Sequence, residues 1–152
     1  MGADSCASGP PDFEQRLARL DVGLFDPIPS ELTENDRRSL LACQLAVRRL
    51  YGTYGYLEIG SHLGGSLQVH LRDMACQRLF SLDPRPESQP DARGVRFRYA
   101  GNSTARMRRL LDGVAPGQAA RLQCFEATSS QVDPAALQPA PHLCFVDGEH
   151  TD

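Results

Sequence analysis

Short apolar segments alternate with helical patterns from Gly55 onward, and this alternation constrains the fold more than any other feature of the sequence. Apolar residues at helical spacing occupy 63–76 and 104–114. The apolar segments that predict strands are residues 56–59, 79–82, 121–126 and 143–146. Strands joined by helical crossovers pair in parallel, because a parallel connection needs about a dozen or more residues. The sequence therefore predicts an α/β fold with a parallel sheet and flanking helices.

Residues 95–100 alternate between apolar and polar side chains and could be mistaken for the third strand of that sheet. The stretch before them, 84–94, is rich in proline and cannot form the crossover helix that a parallel neighbour requires. We therefore assign 95–100 to an edge or insertion strand, and residues 121–126 to the third parallel strand.

The chain divides into three parts. Residues 1–11 are rich in glycine, serine and proline, and we expect them to be disordered. Residues 12–54 form an N-terminal helical segment, in which a short helix precedes a longer one that begins after an N-cap at Thr33 and ends near Tyr51. Residues 55–152 carry the predicted sheet.

Composition and charge exclude several classes of protein. The 16 basic and 19 acidic residues leave a net charge of −3, which does not suit a domain that holds nucleic acid mainly by charge. No apolar run approaches the roughly 20 residues that span a bilayer. The first residues also lack the basic and apolar regions of a secretory signal. We therefore expect a cytoplasmic protein whose partners are neither nucleic acid nor membrane.

The five cysteines are an odd number and contain no Cys-x-x-Cys pair, which disfavours a disulfide framework or a zinc site. Cys43, Cys124 and Cys144 lie among apolar neighbours in the sequence. We expect them to be buried, reduced thiols that pack as small apolar side chains.

A glycine-rich turn between the first predicted strand and the next helix is the strongest local signal of function. Gly60, Gly64 and Gly65 would allow the backbone to approach a ligand closely, beside the free N–H groups of a helix start. Their spacing, G-x-x-x-G-G, differs from the G-x-G-x-x-G of dinucleotide-binding proteins. Glu58 would repel a phosphate and suits a ligand with an amine or a cation. The alternative is a tight turn that binds nothing.

Acidic residues follow two other predicted strands. Asp83 ends the second strand, where a carboxylate can accept both hydroxyls of a ribose, although it could also simply form a turn before Pro84. Asp147 follows the last strand and could ligate a hard divalent cation. His150 could take a proton from a hydroxyl, or could simply start a helix. Because ligands bind outside the carboxyl ends of parallel strands, we expect these residues to meet beside the glycine turn.

Three motifs, EIGSHLGGS at 58–66, SLDP at 81–84 and FVDGEHT at 145–151, resemble those of class I S-adenosylmethionine-dependent methyltransferases. The resemblance is greatest to the group with EIGxxxGGS and (I/V)DGxH motifs, which includes sugar and natural-product O-methyltransferases. It covers roughly residues 33–152, and FVDGEHT is its most specific element. It implies a Rossmann-like parallel sheet, of which this sequence would supply the N-terminal half of a seven-stranded whole.

The resemblance implies contacts to S-adenosyl-L-methionine for Glu58, Gly60, Ser61, Gly64, Gly65, Asp83, Ala127 and Thr128. The first three would line the methionine end of the cofactor, Asp83 would hold the ribose, and the last two would border the adenine. Residues 101–103 resemble another motif of the family, G-(D/N)-S, but the crossover argument makes them the weaker candidate for the adenine side.

For metal-dependent members of the group, the resemblance assigns Mg²⁺ to Asp147 and the catalytic base to His150. The implied reaction transfers a methyl group to a hydroxyl of a small-molecule acceptor. The matching part of the family's sheet ends with the strand at 143–146, which we expect to be an exposed edge through which the protein could self-associate. We also expect the 152-residue chain to bind the cofactor weakly and to show little methyl transfer by itself.

Two other classes of function stay open. A nicotinamide-dependent oxidoreductase domain is disfavoured by the spacing of the glycines. A non-catalytic binding or regulatory module would keep the half-fold as a docking surface. The cluster of Arg106, Arg108 and Arg109 is the only hint of an acidic partner, and at helical spacing it is most simply a solvated helix face.

Overall fold

The structure is a computed structural model that describes residues 12–90, 94 and 96–148. Residues 1–11, for which the sequence predicts disorder, lie outside this range. In chain order the helices and strands are α1 (Phe13–Ala18), α2 (Glu34–Tyr51), β1 (Tyr54–Ile59), α3 (Leu67–Arg72), β2 (Cys76–Leu82), β3 (Ser88–Pro90), β4 (Arg96–Arg98), α4 (Thr104–Val114), β5 (Leu122–Phe125) and β6 (Leu143–Val146). Short 3₁₀ helices cover Val22–Phe25, Gln118–Arg121, Ser129–Gln131 and Pro134–Ala136.

Strands β1, β2, β5 and β6 form a parallel sheet in the order β5-β2-β1-β6. Strand β1 is central, so that Ile59 at its end pairs with Leu82 on one side and with Val146 on the other. This arrangement confirms the predicted α/β fold, a Rossmann-like parallel sheet with flanking helices. Strand β5 is the third parallel strand, as predicted, and β6 lies at the edge of the described sheet.

Strands β3 and β4 pair with each other in antiparallel orientation and form a separate two-stranded sheet. The N–H of Tyr99 donates a hydrogen bond to the carbonyl of Glu87 (2.8 Å) and extends this pairing. The described strand Arg96–Arg98 thus lies outside the parallel sheet, which confirms the assignment made from the proline-rich stretch before it.

Helix α2 begins with a capping box. The Asp36 N–H donates to the Thr33 hydroxyl (3.2 Å), and the Thr33 N–H donates to the Asp36 carboxylate (3.1 Å). The helix ends at Tyr51, because the next residue, Gly52, has φ at +75° and cannot be part of a right-handed helix. The helix packs against β1 and β6, and its buried residues are Leu40, Leu41, Gln44 and Val47. The predicted start and end of this helix are confirmed.

Helix α3 is shorter than its sequence pattern predicts. The apolar spacing predicts a helix over 63–76, whereas α3 covers only Leu67–Arg72. The turn before it includes Gly64 at φ +86°, which excludes a right-handed helix there. The extended backbone of Asp73 then ends the helix. Met74, expected on the helix face, is instead 62% exposed.

The segment between α1 and α2 is bonded to the start of α3 by one buried side chain. The Gln68 amide oxygen accepts a hydrogen bond from the Ile28 N–H (3.2 Å), and its nitrogen lies 2.8 Å from the Phe25 carbonyl, 2.9 Å from the Ile28 carbonyl and 2.7 Å from the Gly65 carbonyl. Phe25 and Ile28 are themselves buried in the core. This segment therefore lies directly against the glycine turn.

The described cysteines carry free thiols but differ in burial. Cys76 is buried and Cys124 is partly buried, whereas Cys43 and Cys144 are exposed. The prediction of buried thiols is therefore wrong for Cys43 and Cys144. Residues adjacent in sequence point in different directions on a helix or a strand, so apolar neighbours do not bury the thiol between them.

Among the described residues, no helix combines the length and the apolar character that crossing a membrane requires.

Candidate functional site

A cavity of about 490 Å³ opens at the carboxyl ends of β1, β2 and β6. Its walls are the turn after β1, the end of β2, the turn after β6 and the residues that follow β5. The rest of the cavity wall is formed by residues 29–31 of the N-terminal segment and by residues on both sides of the β3–β4 pair. Its volume falls within the roughly 300–1,000 Å³ of small-molecule sites, and its position is the one where α/β sheets bind ligands.

Most of the site residues predicted from the sequence meet at this cavity. Those that line it are Glu58, Gly60, Ser61, Gly65, Asp83, Ala127, Thr128 and Asp147. Gly64 does not line it. His150 lies outside the described residues, and its role as a base stays a prediction.

Gly60 joins the ends of three strands. Its N–H donates a hydrogen bond to the Leu82 carbonyl at the end of β2 (2.8 Å), and the Asp147 N–H donates to the Ile59 carbonyl (2.8 Å). With φ at +86°, a Cβ atom at position 60 would lie 2.7 Å from the Cα of Gly148. The first and last motifs therefore pack backbone against backbone, and this contact requires glycine.

The other two glycines of the turn are also explained by packing. A Cβ atom on Gly65 would lie 2.5 Å from the Ser30 side chain and 2.7 Å from the Pro29 carbonyl. A Cβ atom on Gly64 would lie 3.1 Å from the side chain of Met107 in α4. The sequence argument expected the glycines to make room for a ligand, whereas the structure fills the space beside them with other parts of the protein.

Glu58 is a buried carboxyl group in the cavity wall. It accepts hydrogen bonds from the hydroxyls of Ser66 (2.5 Å) and Tyr56 (2.9 Å). The pKa of Glu58 is raised to about 7, and burial is the largest cause. The hydrogen bonds from the two hydroxyls act to lower this pKa, and the negative charges of Asp147 and Asp83 act to raise it. Glu58 therefore changes its charge near neutral pH.

Asp83 is 5% exposed at the end of β2, and its carboxylate is bonded to the turn after β1. One oxygen accepts a hydrogen bond from the His62 N–H (2.8 Å), and the other accepts one from the Arg85 N–H (2.7 Å). The Arg85 guanidinium lies 3.4 Å from the first of these oxygens. Protein donors thus set the orientation of the carboxylate, whose oxygens have lone pairs for further donors.

Asn102 was the weaker candidate for the adenine side, and the structure brings it to the same cavity as Thr128. It is 8% exposed, its amide nitrogen donates to the Pro86 carbonyl (3.2 Å), and its oxygen lies 3.4 Å from the Arg85 guanidinium. The crossover argument located the third strand correctly but did not separate these two positions, since Asn102 and Thr128 both line the cavity.

His62 and Tyr99 form part of the cavity wall that the sequence analysis did not predict. Their rings contact edge to face with centroids 4.7 Å apart, and His62 has a left-handed backbone with φ at +42°. Burial lowers the pKa of His62 below its ordinary value of 6.5. The position of His62 inside the glycine turn was an available signal. Tyr99 and residues 29–31 had none, because only tertiary packing brings them to the cavity.

The charged side chains in the described lining are all acidic: Glu31, Glu58, Asp83 and Asp147. Such a surface favours ligands with positive charge and disfavours phosphates. Across 12–90, 94 and 96–148, no three His, Cys, Asp or Glu side chains come together to hold a metal ion. The described residues therefore do not form the Mg²⁺ site that the resemblance implies around Asp147, and that site stays a prediction.

No protein-family model matches the chain, and no curated protein matches it. Among solved structures, it is similar to one named a "putative O-methyltransferase" from Klebsiella pneumoniae, with 22% sequence identity and a TM-score of 0.45. The match covers 94% of this chain and 56% of that chain, so this chain spans little more than half of that protein's length.

Proposed function

We propose that this chain binds S-adenosyl-L-methionine in the cavity and belongs to an enzyme that transfers the methyl group to a hydroxyl of a small molecule. One observation carries the proposal: Glu58, Asp83 and Asp147 come from three different strand ends and line a single cavity. They are the acidic residues of the three motifs that resemble class I methyltransferases.

The chemistry of the lining supports this ligand over a dinucleotide. S-adenosyl-L-methionine carries a positively charged sulfur, an amino group and two ribose hydroxyls. Asp83 offers carboxylate oxygens to the hydroxyls, and Glu58 offers negative charge to the amino group once it is ionised. The pyrophosphate of a nicotinamide cofactor would instead meet carboxylates, with no arginine side chain in the described lining to bind it.

When bound, the cofactor supplies a methyl group activated by the positively charged sulfur. The protein then has to align an acceptor oxygen and to accept its proton. Alignment contributes about 7–11 kcal/mol in favourable cases, and a positioned base adds roughly 10²–10⁴-fold. In this proposal His150 is the base. It lies three residues after Asp147, whose N–H donates a hydrogen bond to the Ile59 carbonyl at the cavity.

The test is a titration of ¹⁵N-labelled protein with S-adenosylhomocysteine, followed by the backbone amide signals, since these report weak binding at single residues. We expect signals of Gly60, Gly65 and Gly148, which line the cavity, to shift with ligand concentration. Signals of Gly113 and Gly117, at the far end of α4 and outside the lining, should stay in place.

NADH at the same concentration is the matched control, since it also carries adenine and ribose. We expect it to leave the Gly60 signal unshifted, because its pyrophosphate meets the acidic lining. No response of Gly60 or Gly148 to millimolar S-adenosylhomocysteine would contradict the proposed function. A response to NADH alone would instead support the oxidoreductase class.

A further inference from the structure

A buried arginine outside the cavity lining is bonded to the groups that form one end of the cavity. The Arg85 side chain is 6% exposed and lies 3.4 Å from the Asp83 carboxylate, whose side chain is equally buried. Its backbone is left-handed, with φ at +59°, a conformation that is costly for a residue other than glycine. Contacts of the side chain must outweigh that cost.

The Arg85 guanidinium bonds to three separate segments at once. In the turn after β1 it donates to the His62 carbonyl and to the Ser61 hydroxyl (3.1 Å). In β2 it donates to the Ser81 hydroxyl (3.1 Å). Before α4 it lies 3.4 Å from the Asn102 amide oxygen. Only a planar group with several fixed donors can satisfy acceptors in so many directions.

We infer that Arg85 is the positioning residue for recognition of ribose hydroxyls by Asp83, an inference that rests on the proposed function. Arg85 is not part of the cavity lining, so it acts through the lining residues and not on the ligand. Its N–H and its guanidinium both bond to the Asp83 carboxylate, and the His62 N–H supplies a third bond. Together they confine the carboxylate to one orientation toward the cavity.

The same arginine gives the cavity two chemically different ends. The positive charge of Arg85 offsets the negative charge of Asp83, so this end suits neutral hydroxyl donors. The partners of Glu58 are the uncharged hydroxyls of Tyr56 and Ser66, so an ionised Glu58 leaves its end negative. A ligand with hydroxyls at one end and an amino group at the other would bind in a single direction.

The experiment compares two ligands, S-adenosylhomocysteine and its analogue that lacks both ribose hydroxyls. The measured quantity is the slope of the Gly60 amide chemical shift plotted against ligand concentration. For the wild-type protein we expect the slope to favour S-adenosylhomocysteine about tenfold, the worth of charge-assisted hydrogen bonds. For Arg85→Met we expect this ratio to fall to about one. The variant loses the guanidinium beside the Asp83 carboxylate and also the bonds that hold the turn whose His62 N–H orients that carboxylate.

Arg121→Met is the matched control. The Arg121 guanidinium donates to the carbonyls of Leu71, Asp73 and Cys76, so it is a comparable clamp that lies outside the cavity lining. We expect this variant to lose stability and to keep the tenfold ratio. A general loss of stability would weaken binding of both ligands equally and leave the ratio unchanged, which separates positioning from a merely structural role.

Arg85→Lys keeps the charge but not the planar set of donors, and we expect it to fold and to lose most of the ratio. If Arg85→Met or Arg85→Lys kept the wild-type ratio, the inference would be overturned while the proposed function stood. If the wild-type protein showed no shift with S-adenosylhomocysteine, the proposed function itself would fail. The two failures are therefore distinguishable.

Discussion

A Cβ atom on Gly60 would overlap the carbonyl oxygen of Asp147, so these two residues can meet only because position 60 has no side chain. The contact joins the turn after β1 to the turn after β6, which are far apart in the sequence. It also explains why the first and last motifs line the same cavity. Variants at this contact test whether the cavity depends on it.

Gly60→Ala should destabilise the protein by at least about 2 kcal/mol. The new methyl group would meet backbone atoms that cannot move away as a flexible side chain could, and φ at +86° is unfavourable for alanine. Urea unfolding measures the change. Gly113→Ala in α4 is the control, where no atom lies within 4 Å and alanine should stabilise the helix by about 0.4–1 kcal/mol. Equal effects of the two substitutions would contradict the packing argument.

Glu58→Gln should change how stability depends on pH. The folded protein keeps a proton on Glu58 up to about pH 7, whereas the unfolded chain releases it near its ordinary pKa of 4.5. The free energy of unfolding of the wild-type protein should therefore fall as pH rises from about 4.5 to about 7, on the order of 3 kcal/mol relative to the variant. Urea unfolding at pH 5 and pH 8 gives this difference.

Tyr56→Phe provides an independent check on the same group. The Tyr56 hydroxyl lowers the pKa of Glu58, so its removal should move the stability transition to higher pH. A wild-type protein whose stability relative to Glu58→Gln stays constant between pH 5 and pH 8 would contradict the assignment of a raised pKa to this carboxyl group.

Ligand binding should follow the ionisation of Glu58 in the opposite direction. S-adenosylhomocysteine carries an amino group that is protonated near neutral pH, so its affinity should rise between pH 6 and pH 8 as Glu58 becomes negative. In the Glu58→Gln variant the amide-shift titration should give the same affinity at both pH values.

Gln68→Leu should detach the N-terminal segment from the glycine turn. The substitution leaves the Ile28 N–H and three carbonyls without the Gln68 amide, at a cost of at least about 3 kcal/mol. Hydrogen exchange of the Ile28 amide should accelerate more than the loss of global stability explains. Gln77→Leu removes an exposed amide bonded to one carbonyl and should change stability by less than about 0.5 kcal/mol.

Asp83→Asn should weaken the binding of S-adenosylhomocysteine about tenfold and lower stability by about 2 kcal/mol, because the buried Arg85 loses its carboxylate partner. Asp112→Asn is the control, since the carboxylate of this exposed aspartate accepts a hydrogen bond from the Gly117 N–H near the end of α4, outside the cavity lining. The Asp112→Asn variant should bind S-adenosylhomocysteine with the affinity of the wild-type protein. An unaltered affinity of Asp83→Asn would remove Asp83 from the proposed ribose contact.

Local signals in the sequence predict most of the elements correctly. The capping box at Thr33 and the glycine after Tyr51 bound α2, and the proline-rich stretch after Asp83 separates β3 and β4 from the parallel sheet. The short α3 and the exposed Cys43 were not predictable in this way. Apolar spacing describes which residues lie on one face of a helix, but not where the chain turns or which face meets a neighbour.

The order of strands and helices, the glycine turn and the acidic residue at the end of each of three strands were determined by the sequence alone, since each depends on neighbours within a few residues. Only the tertiary structure decided that residues 29–31 and Tyr99 would wall the cavity and that a buried Arg85 would hold Asp83. These contacts join segments that are distant along the chain. Their geometry depends on how whole elements pack, which no local pattern encodes.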